Sequence, residues 1–200
     1  ACPAQPGPPV SRLTGRPGPC RASLRPAAAL CASAGRARRP GQPTDLAAYS
    51  ADLASGFRAA VEKAGLTFIV DCPPLPATVY VDRNMWEKIV LNLLSNAVKF
   101  TEKGKVSVAL RHRSCGDGET WLEWTVADTG IGIPQDRIGS LFDEFMQADA
   151  SIHRRFGGSG LGLAICKRIL DQMHGSINVS SILGQGTIIS VSVALPVTPK

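Results

Sequence analysis

The sequence predicts an α+β fold, a two-layer sandwich in which helices cover one face of a mixed, mostly antiparallel sheet. Three observations carry this expectation. Residues 86–101 and 161–174 repeat their apolar side chains at three- and four-residue steps, the period of a helix that buries one side. Short β-rich runs lie between and after them, several joined by Gly- and Asp-containing turns. The elements come as helix, strand, helix, two strands, helix, two strands, an order that suits a sheet with its helices segregated to one side.

Taken in order, residues 1–43 hold nine prolines, five glycines and seven arginines with no apolar period, and predict a disordered tail. The folded domain is expected from Thr44 to Pro196, with 197–200 a short tail. Leu46, Tyr49, Leu53, Phe57, Ala60 and Val61 predict one helix that stops at Gly65, a natural C′ glycine. Leu66–Val70 is β-rich, Pro73, Pro74 and Pro76 make a bend, and Val79–Val81 is a short strand. Asp82 then stands as N-cap of the central helix. Lys105–Arg113 and Thr120–Ala127 read as antiparallel strands around a polar turn. From Pro134 to about Phe156 the chain is polar and mixed and predicts a partly helical, mobile segment over a site. Leu161–His174 predicts a helix ending at Gly175, followed by strands Ser176–Ile182 and Thr187–Leu195 around Gly184-Gln185-Gly186.

The central helix, WEKIVLNLLSNAVKFT, organises the rest. Trp86, Val90, Leu93, Leu94 and Ala97 share one side and predict a core face, while Asn92, Asn96 and Lys99 form a polar ridge at i, i+4 and i+7. Buried amides without partners are costly. Two readings meet that cost: the asparagines bond neighbouring backbone, or they face a polar ligand. A carboxamide oxygen suits a hard cation such as magnesium, which takes one or two protein oxygens and shares the rest with phosphates; Lys99 could then neutralise a phosphate.

The charge distribution narrows the partners. Of the formal +6, residues 1–43 contribute +7 from seven arginines and no acid, whereas residues 44–200 hold 15 basic and 16 acidic residues and contribute −1. The high pI belongs to the tail, and the remainder has no basic stripe with interleaved aromatics, so nucleic acid is not an expected partner. The six cysteines, at 2, 20, 31, 72, 115 and 166, form no CxxC pair or zinc-ligand cluster and read as isolated thiols in a reducing compartment. No apolar run approaches the ~20 residues needed to span a bilayer. A start at Ala1 rather than methionine suggests a fragment or a processed piece.

Two glycine-bearing motifs suggest chemistry. In Asp128-Thr129-Gly130-Ile131-Gly132-Ile133-Pro134 a carboxylate ends a strand where glycines let another group approach. Ionised, Asp128 would accept from adenine's amine and repel guanine's carbonyl; the plainer reading is an Asx turn with Gly130 and Gly132 left-handed. Gly157-Gly158-Ser159-Gly160-Leu161-Gly162 opens a helix, whose free amides suit a polyphosphate. It is neither a Walker A loop nor a Rossmann fingerprint. Gly184-Gln185-Gly186-Thr187 by itself is explained by a hairpin turn.

In order, the asparagine helix, DTGIGIP, FDEF, GGSGLGLAI and GQGT resemble the N, G1, F, G2 and G3 boxes of the ATP-binding catalytic domain of sensor histidine kinases. This is the Bergerat fold, shared with DNA gyrase, heat-shock chaperone and mismatch-repair ATPases, and the resemblance covers residues 44–196. It implies ATP and magnesium as cofactors, with magnesium on Asn96, Asn92 in support, phosphate contact from Lys99 and Asp128 on the adenine amine. It further implies Gly130 and Gly132 framing the base pocket, Phe142 and Phe145 anchoring a lid, and Gly158, Gly160 and Gly162 lining the phosphates. Thr187 would sit near the adenine end, and Phe100, Ile133, Ser159 and Leu161 complete the implied nucleotide contacts.

Within that superfamily, hydrolysing and serine-directed members carry a glutamate four residues before the magnesium asparagine. That position is Asn92 here, which favours transfer to histidine over ATP hydrolysis. The usual acceptor sits on a helical hairpin just before the domain, but no histidine precedes His112, and His112, His153 and His174 suit structural or solvated roles. The resemblance thus implies a catalytic domain separated from its substrate helix, with an unrelated tail in its place. Its partners would be a histidine-bearing dimerisation domain and a response regulator receiver domain. The expected location is the cytoplasm, whether or not the parent protein is attached to a membrane.

Overall fold

A computed structural model of the chain describes residues 41–116, 119–142 and 161–198. The expected tail lies outside the described residues except for its last three. Gln42–Thr44 forms strand β1, antiparallel to Val79–Val81, with Gln42 opposite Val81 and Thr44 opposite Val79. The folded domain therefore starts before the expected boundary at Thr44. Gly41 runs so close to the partner strand that a Cβ there would lie 2.3 Å from the Val81 carbonyl carbon. A glycine and a proline disguise this strand as linker, although proline is tolerated in a two-stranded edge ribbon.

Helix α1, Leu46–Ser55, is capped by Asp45, whose carboxylate accepts from the Ala48 amide at 3.1 Å. The single helix expected as far as Gly65 is two. α1 tightens at Gly56, where the Phe57 amide donates to the Ala54 carbonyl, and α2 resumes over Arg58–Lys63. Glycine's poor helix propensity locates the break. At Gly65 the expectation holds: its φ is +72°, its amide donates to Glu62, and the next amide, of Leu66, donates back to Val61, a Schellman cap.

Strand β2 is Thr67–Asp71 and β3 is Val79–Val81. Helix α3, Arg83–Phe100, starts at Asp82, whose carboxylate accepts from both Asn84 and Met85 amides. β4 (Lys105–Gly116) and β5 (Glu119–Asp128) follow, then a single helical turn, α4 (Gln135–Ile138), helix α5 (Gly162–Gln172), β6 (Ser176–Ile182) and β7 (Gly186–Pro196). The main sheet has the order β2-β4-β5-β7-β6. β2 and β4 are parallel and every other neighbouring pair is antiparallel. The mixed, mostly antiparallel sheet is as expected.

Period-two alternation explains the two layers. Val106, Val108 and Leu110 of β4, Leu122, Trp124 and Val126 of β5, and Val191, Val193 and Leu195 of β7 are buried. Against them α3 buries Trp86, Ile89, Val90, Leu93, Leu94 and Ala97, the expected face. α5 adds Ala164, Cys166, Ile169 and Leu170. Trp86 meets Trp124 edge-on, ring centroids 6.4 Å apart, and donates to the Ser50 hydroxyl at 2.9 Å, tying α3 to α1.

α5 ends one residue earlier than its glycine suggested. His174, at φ 54°, takes the left-handed C′ position, and the Gly175 amide donates to Leu170 at 2.7 Å. Gly175 instead permits close packing, since a Cβ on it would lie 2.7 Å from the Ser192 carbonyl oxygen of β7. Cys72 and Cys166 are free thiols, and burial pushes them up to about 11 and about 12, so both are protonated at neutral pH. Among the described residues, no helix is long and apolar enough to cross a membrane.

Candidate nucleotide-binding site

The site gathers at the end of the sheet where β5 finishes and β7 begins. Asp128 pairs with Thr187 across the two strands. The Asp128 Oδ1 accepts from the Gly130 amide at 2.8 Å, forming the Asx turn, and the Thr187 amide also favours the carboxylate. Burial outweighs those two amides and holds the Asp128 carboxyl above its usual range. A partly desolvated acceptor therefore waits at a strand end.

The loop after Asp128 is stitched to its neighbours through backbone. The Phe100 carbonyl, at the C-terminus of α3, accepts from Ile131, and a Cβ on Gly130 would lie 2.2 Å from that oxygen. Gly130 thus serves close approach and is not left-handed. Gly132 is, at φ 67°, and a Cβ there would strike the Ile182 carbonyl oxygen at 2.1 Å. Gly186, at φ 117°, comes as close to the Asp128 carbonyl, 2.0 Å for its virtual Cβ. The Ile131 carbonyl accepts from Gly184 at 2.7 Å, and the Ile133 amide donates to the Ser181 hydroxyl at 2.8 Å. Gly132 and Ile133 thus join the loop to the β6–β7 hairpin.

The polar ridge of α3 faces the start of α5. A Cβ on Gly162 would lie 3.0 Å from Asn92 Oδ1 and 3.9 Å from Asn96 Nδ2, so both carboxamides border the N-terminus of α5. The backbone-bonding reading of Asn92 is realised at one end of its carboxamide. Its Nδ2 donates to the Lys88 carbonyl at 2.8 Å, and its Oδ1 turns to Gly162. Lys99 lies over the neighbouring Phe100 ring at 4.9 Å. Asn96 precedes Phe100 by one turn, about 6 Å along the axis, and Asn92 by two. The carboxamides and the Asp128 loop therefore share one side of the molecule.

The N-cap residue of α5, Leu161, makes no side-chain cap hydrogen bond, and the start of a helix suits an anion. Phe142 is half-buried, with Lys167 of α5 5.6 Å over its ring. Phe145, Gly158, Ser159 and Gly160 lie outside the described residues, as do His153 and most of the expected lid. His112 is exposed on β4. Among the described residues no cluster of three or more His, Cys, Asp or Glu could hold a metal. Among the described residues, Asn92 and Asn96 offer neutral carboxamide oxygens, which fit an ion whose remaining ligands come from phosphates.

Two contributors escaped the sequence reading. Ser181 is buried, joins the loop to the hairpin, and has a carbonyl that accepts from Gln135 Nε2 at 2.6 Å. Lys167 holds the Phe142 ring. Neither belongs to a recognisable motif: a serine on a strand and a lysine on a helix look like surface residues until the fold brings partners to them.

The family model described as histidine kinase-, DNA gyrase B- and HSP90-like ATPase matches residues 81–199. The chain belongs to this family. Similar curated proteins include the aerobic respiration control sensor ArcB of Escherichia coli (strain K12), 36% identical over 157 residues, which are 78% of this chain and 20% of ArcB. The hybrid signal transduction protein dokA of Dictyostelium discoideum is 44% identical over 108 residues, 54% of this chain and 6% of dokA. The chain thus spans a small part of these relatives. Among solved structures, full-length ShkA in complex with AMPPNP superposes with a TM-score of 0.68 at 29% identity, over 86% of this chain and 34% of ShkA. The catalytic domain of histidine kinase ThkA gives 0.61 at 22% identity, over 79% of this chain and 96% of that one, a likeness of fold. The two-layer sandwich is the Bergerat fold, and the domain is of the ATP-binding kind.

Proposed function

We propose that this domain binds magnesium with ATP and transfers the γ-phosphate to a histidine on another segment or chain, as the catalytic domain of a two-component sensor kinase. The observation that carries the reading is Asn92, an amide whose Oδ1 borders the start of α5, at the position that carries a glutamate in hydrolysing members of the superfamily. Water or an alcohol must lose a proton to attack phosphorus, and an amide cannot take it. A neutral imidazole already presents a lone pair. The site therefore suits an acceptor that brings its own nucleophile. Relatives named as sensor and hybrid signal transduction proteins support the same reading.

In this reading Asp128 accepts the adenine amine, with Gly130, Gly132, Ile133 and Thr187 around the base. Asn96, with Asn92 beside it, would hold magnesium, which neutralises phosphate charge when bound. Lys99 adds positive charge one turn on, and the amides opening α5 meet phosphate oxygens. Phe142 and Phe145 anchor the lid, while Gly158, Ser159 and Gly160 extend the phosphate cradle. Orientation and charge neutralisation make up most of such catalysis. The partners are a histidine-bearing dimerisation domain and a receiver domain, and the location is cytoplasmic.

The test uses the full chain with labelled ATP. Alone, it should bind nucleotide, hydrolyse it barely above background and gain no acid-labile phosphate. With a dimeric helical hairpin bearing a His-Glu motif from a related kinase, it should phosphorylate that histidine. Asn92→Glu should raise hydrolysis at the expense of transfer. Brisk turnover by the unaltered chain, or an acid-stable phosphate on serine or threonine, overturns the reading.

A further inference from the structure

We infer that Ser181 is a positioning residue that fixes the proton of the Thr187 hydroxyl, so that Thr187 and Asp128 together present only acceptors to the base. The inference rests on the nucleotide reading above and assigns the base selectivity to a second residue besides Asp128.

The argument is a count of protons. The Ser181 hydroxyl is buried and has three polar neighbours: the Ile133 amide at 2.8 Å, the Gly186 carbonyl at 2.9 Å and the Thr187 hydroxyl at 2.9 Å. A hydroxyl owns one proton and two lone pairs. The Ile133 amide can only donate, which occupies one lone pair. The Gly186 carbonyl can only accept, which occupies the proton. The second lone pair is left for Thr187, so the Thr187 hydroxyl donates to Ser181 and keeps only lone pairs for any other partner. Thr187 is itself buried, and nothing else among the described residues competes for that proton.

The consequence falls on the base. Thr187 is the cross-strand partner of Asp128, so the two side chains share one face of the sheet, and its amide favours the Asp128 carboxylate. Adenine offers an amine with two hydrogens at its six-position, whereas guanine and hypoxanthine offer a carbonyl there. A freely rotating threonine could turn its proton toward such a carbonyl and soften the discrimination. Ser181 removes that freedom. It also pins the Ile133 amide and the Gly186 carbonyl, the two backbone groups between which the loop and the hairpin close.

The experiment measures ATP and inosine triphosphate affinities, with magnesium, by calorimetry on the full chain and three variants. Unaltered chain should prefer ATP strongly. Ser181→Ala should narrow the ratio about tenfold, because the released Thr187 proton can serve the six-carbonyl. Ser181→Ala combined with Thr187→Val should lose the inosine triphosphate affinity that Ser181→Ala gained, because no proton remains to serve. General loosening of the loop would leave the double variant binding inosine triphosphate as tightly as the single one, and that result overturns the inference. Thr187→Val alone supplies a test of sign that does not depend on Ser181→Ala folding. An acceptor-only Thr187 means that ATP affinity falls while inosine triphosphate affinity does not, so the ratio narrows; an unchanged or wider ratio overturns the relay. If the unaltered chain binds neither nucleotide, the nucleotide reading fails and the relay with it. Selective ATP binding with unmoved ratios in the variants overturns the relay alone.

Discussion

Asp128→Asn separates the cost of the site from its use. The substitution keeps shape and removes charge. Two amides, of Gly130 and Thr187, hold an oxygen in place, so the carboxamide oxygen should take that position and turn its NH2 toward the base. An amine then faces an amine. Losing one charge-assisted hydrogen bond of about 1.5–3 kcal/mol weakens ATP by roughly 10- to 150-fold, before any repulsion between the two donors. The fold should respond in the opposite sense. Burial raises the Asp128 carboxyl in the folded state, so its contribution favours the fold below the unfolded value of about 3.9 and is lost as pH rises through the raised folded value. At neutral pH the ionised group is a cost, and Asp128→Asn should melt no lower than the parent. ATP affinity of the parent should also fall on acidification at a higher pH than an ordinary carboxylate requires. Calorimetry across pH and a thermal melt of both proteins check the three outcomes. A variant that binds ATP as tightly as the parent, or melts several degrees lower, refutes the reasoning.

Further outcomes follow from the glycines and the first strand. Gly186→Ala places a Cβ 2.0 Å from the Asp128 carbonyl at a left-handed φ, and should cost more than about 2 kcal/mol in urea unfolding, whereas Gly184→Ala, left-handed with nothing within 4 Å, should cost only about 1–2 kcal/mol. Gly162→Ala introduces a better helix former by about 1 kcal/mol while pressing on Asn92 Oδ1 at 3.0 Å. It should keep or raise the melting temperature and weaken magnesium-dependent ATP binding at least several-fold by calorimetry. A chain starting at Gly41 should melt within a degree or two of the full chain, whereas one starting at Asp45 lacks β1 and should melt clearly lower; equal melting of the two would show that β1 contributes nothing.

Much of this fold was legible because its signals are local. Asp82 caps α3 as a short polar residue before an apolar period does, and the α3 core face needed only the helical period. The misreadings arose where a second signal, a glycine's poor helix propensity or a tertiary contact, overrode the pattern read first. Gly56 interrupts a helix whose apolar spacing continues unbroken across it. Gln42 and Pro43 form a strand in a stretch whose composition signals linker, because Val81 and Tyr80 supply the partners. His174 takes a left-handed position that the sequence assigns to Gly175, because β7 presses on Gly175 and leaves no room for a side chain. Ser181 could not be read at all, since its three partners lie 48, 5 and 6 positions away.

The motif glycines are legible in the sequence, but the physical reason for them differs from the one their motifs suggest. Taken singly, they suggest tight turns or room for a nucleotide. In the structure four of them are pressed by protein: Gly130 by the Phe100 carbonyl of α3, Gly132 by Ile182 of the hairpin, Gly186 by Asp128, and Gly162 by Asn92. The glycine of one box is thus shaped by a residue of another. Such a pattern cannot be assembled one motif at a time, because a Cβ at Gly130 would displace the end of α3, and with it the turn that carries Asn96. The order of the boxes carries more information than any box alone because their backbones interlock, and the groups we propose to face the ligand, Asp128, Asn92 and Asn96, are what that interlock holds in place.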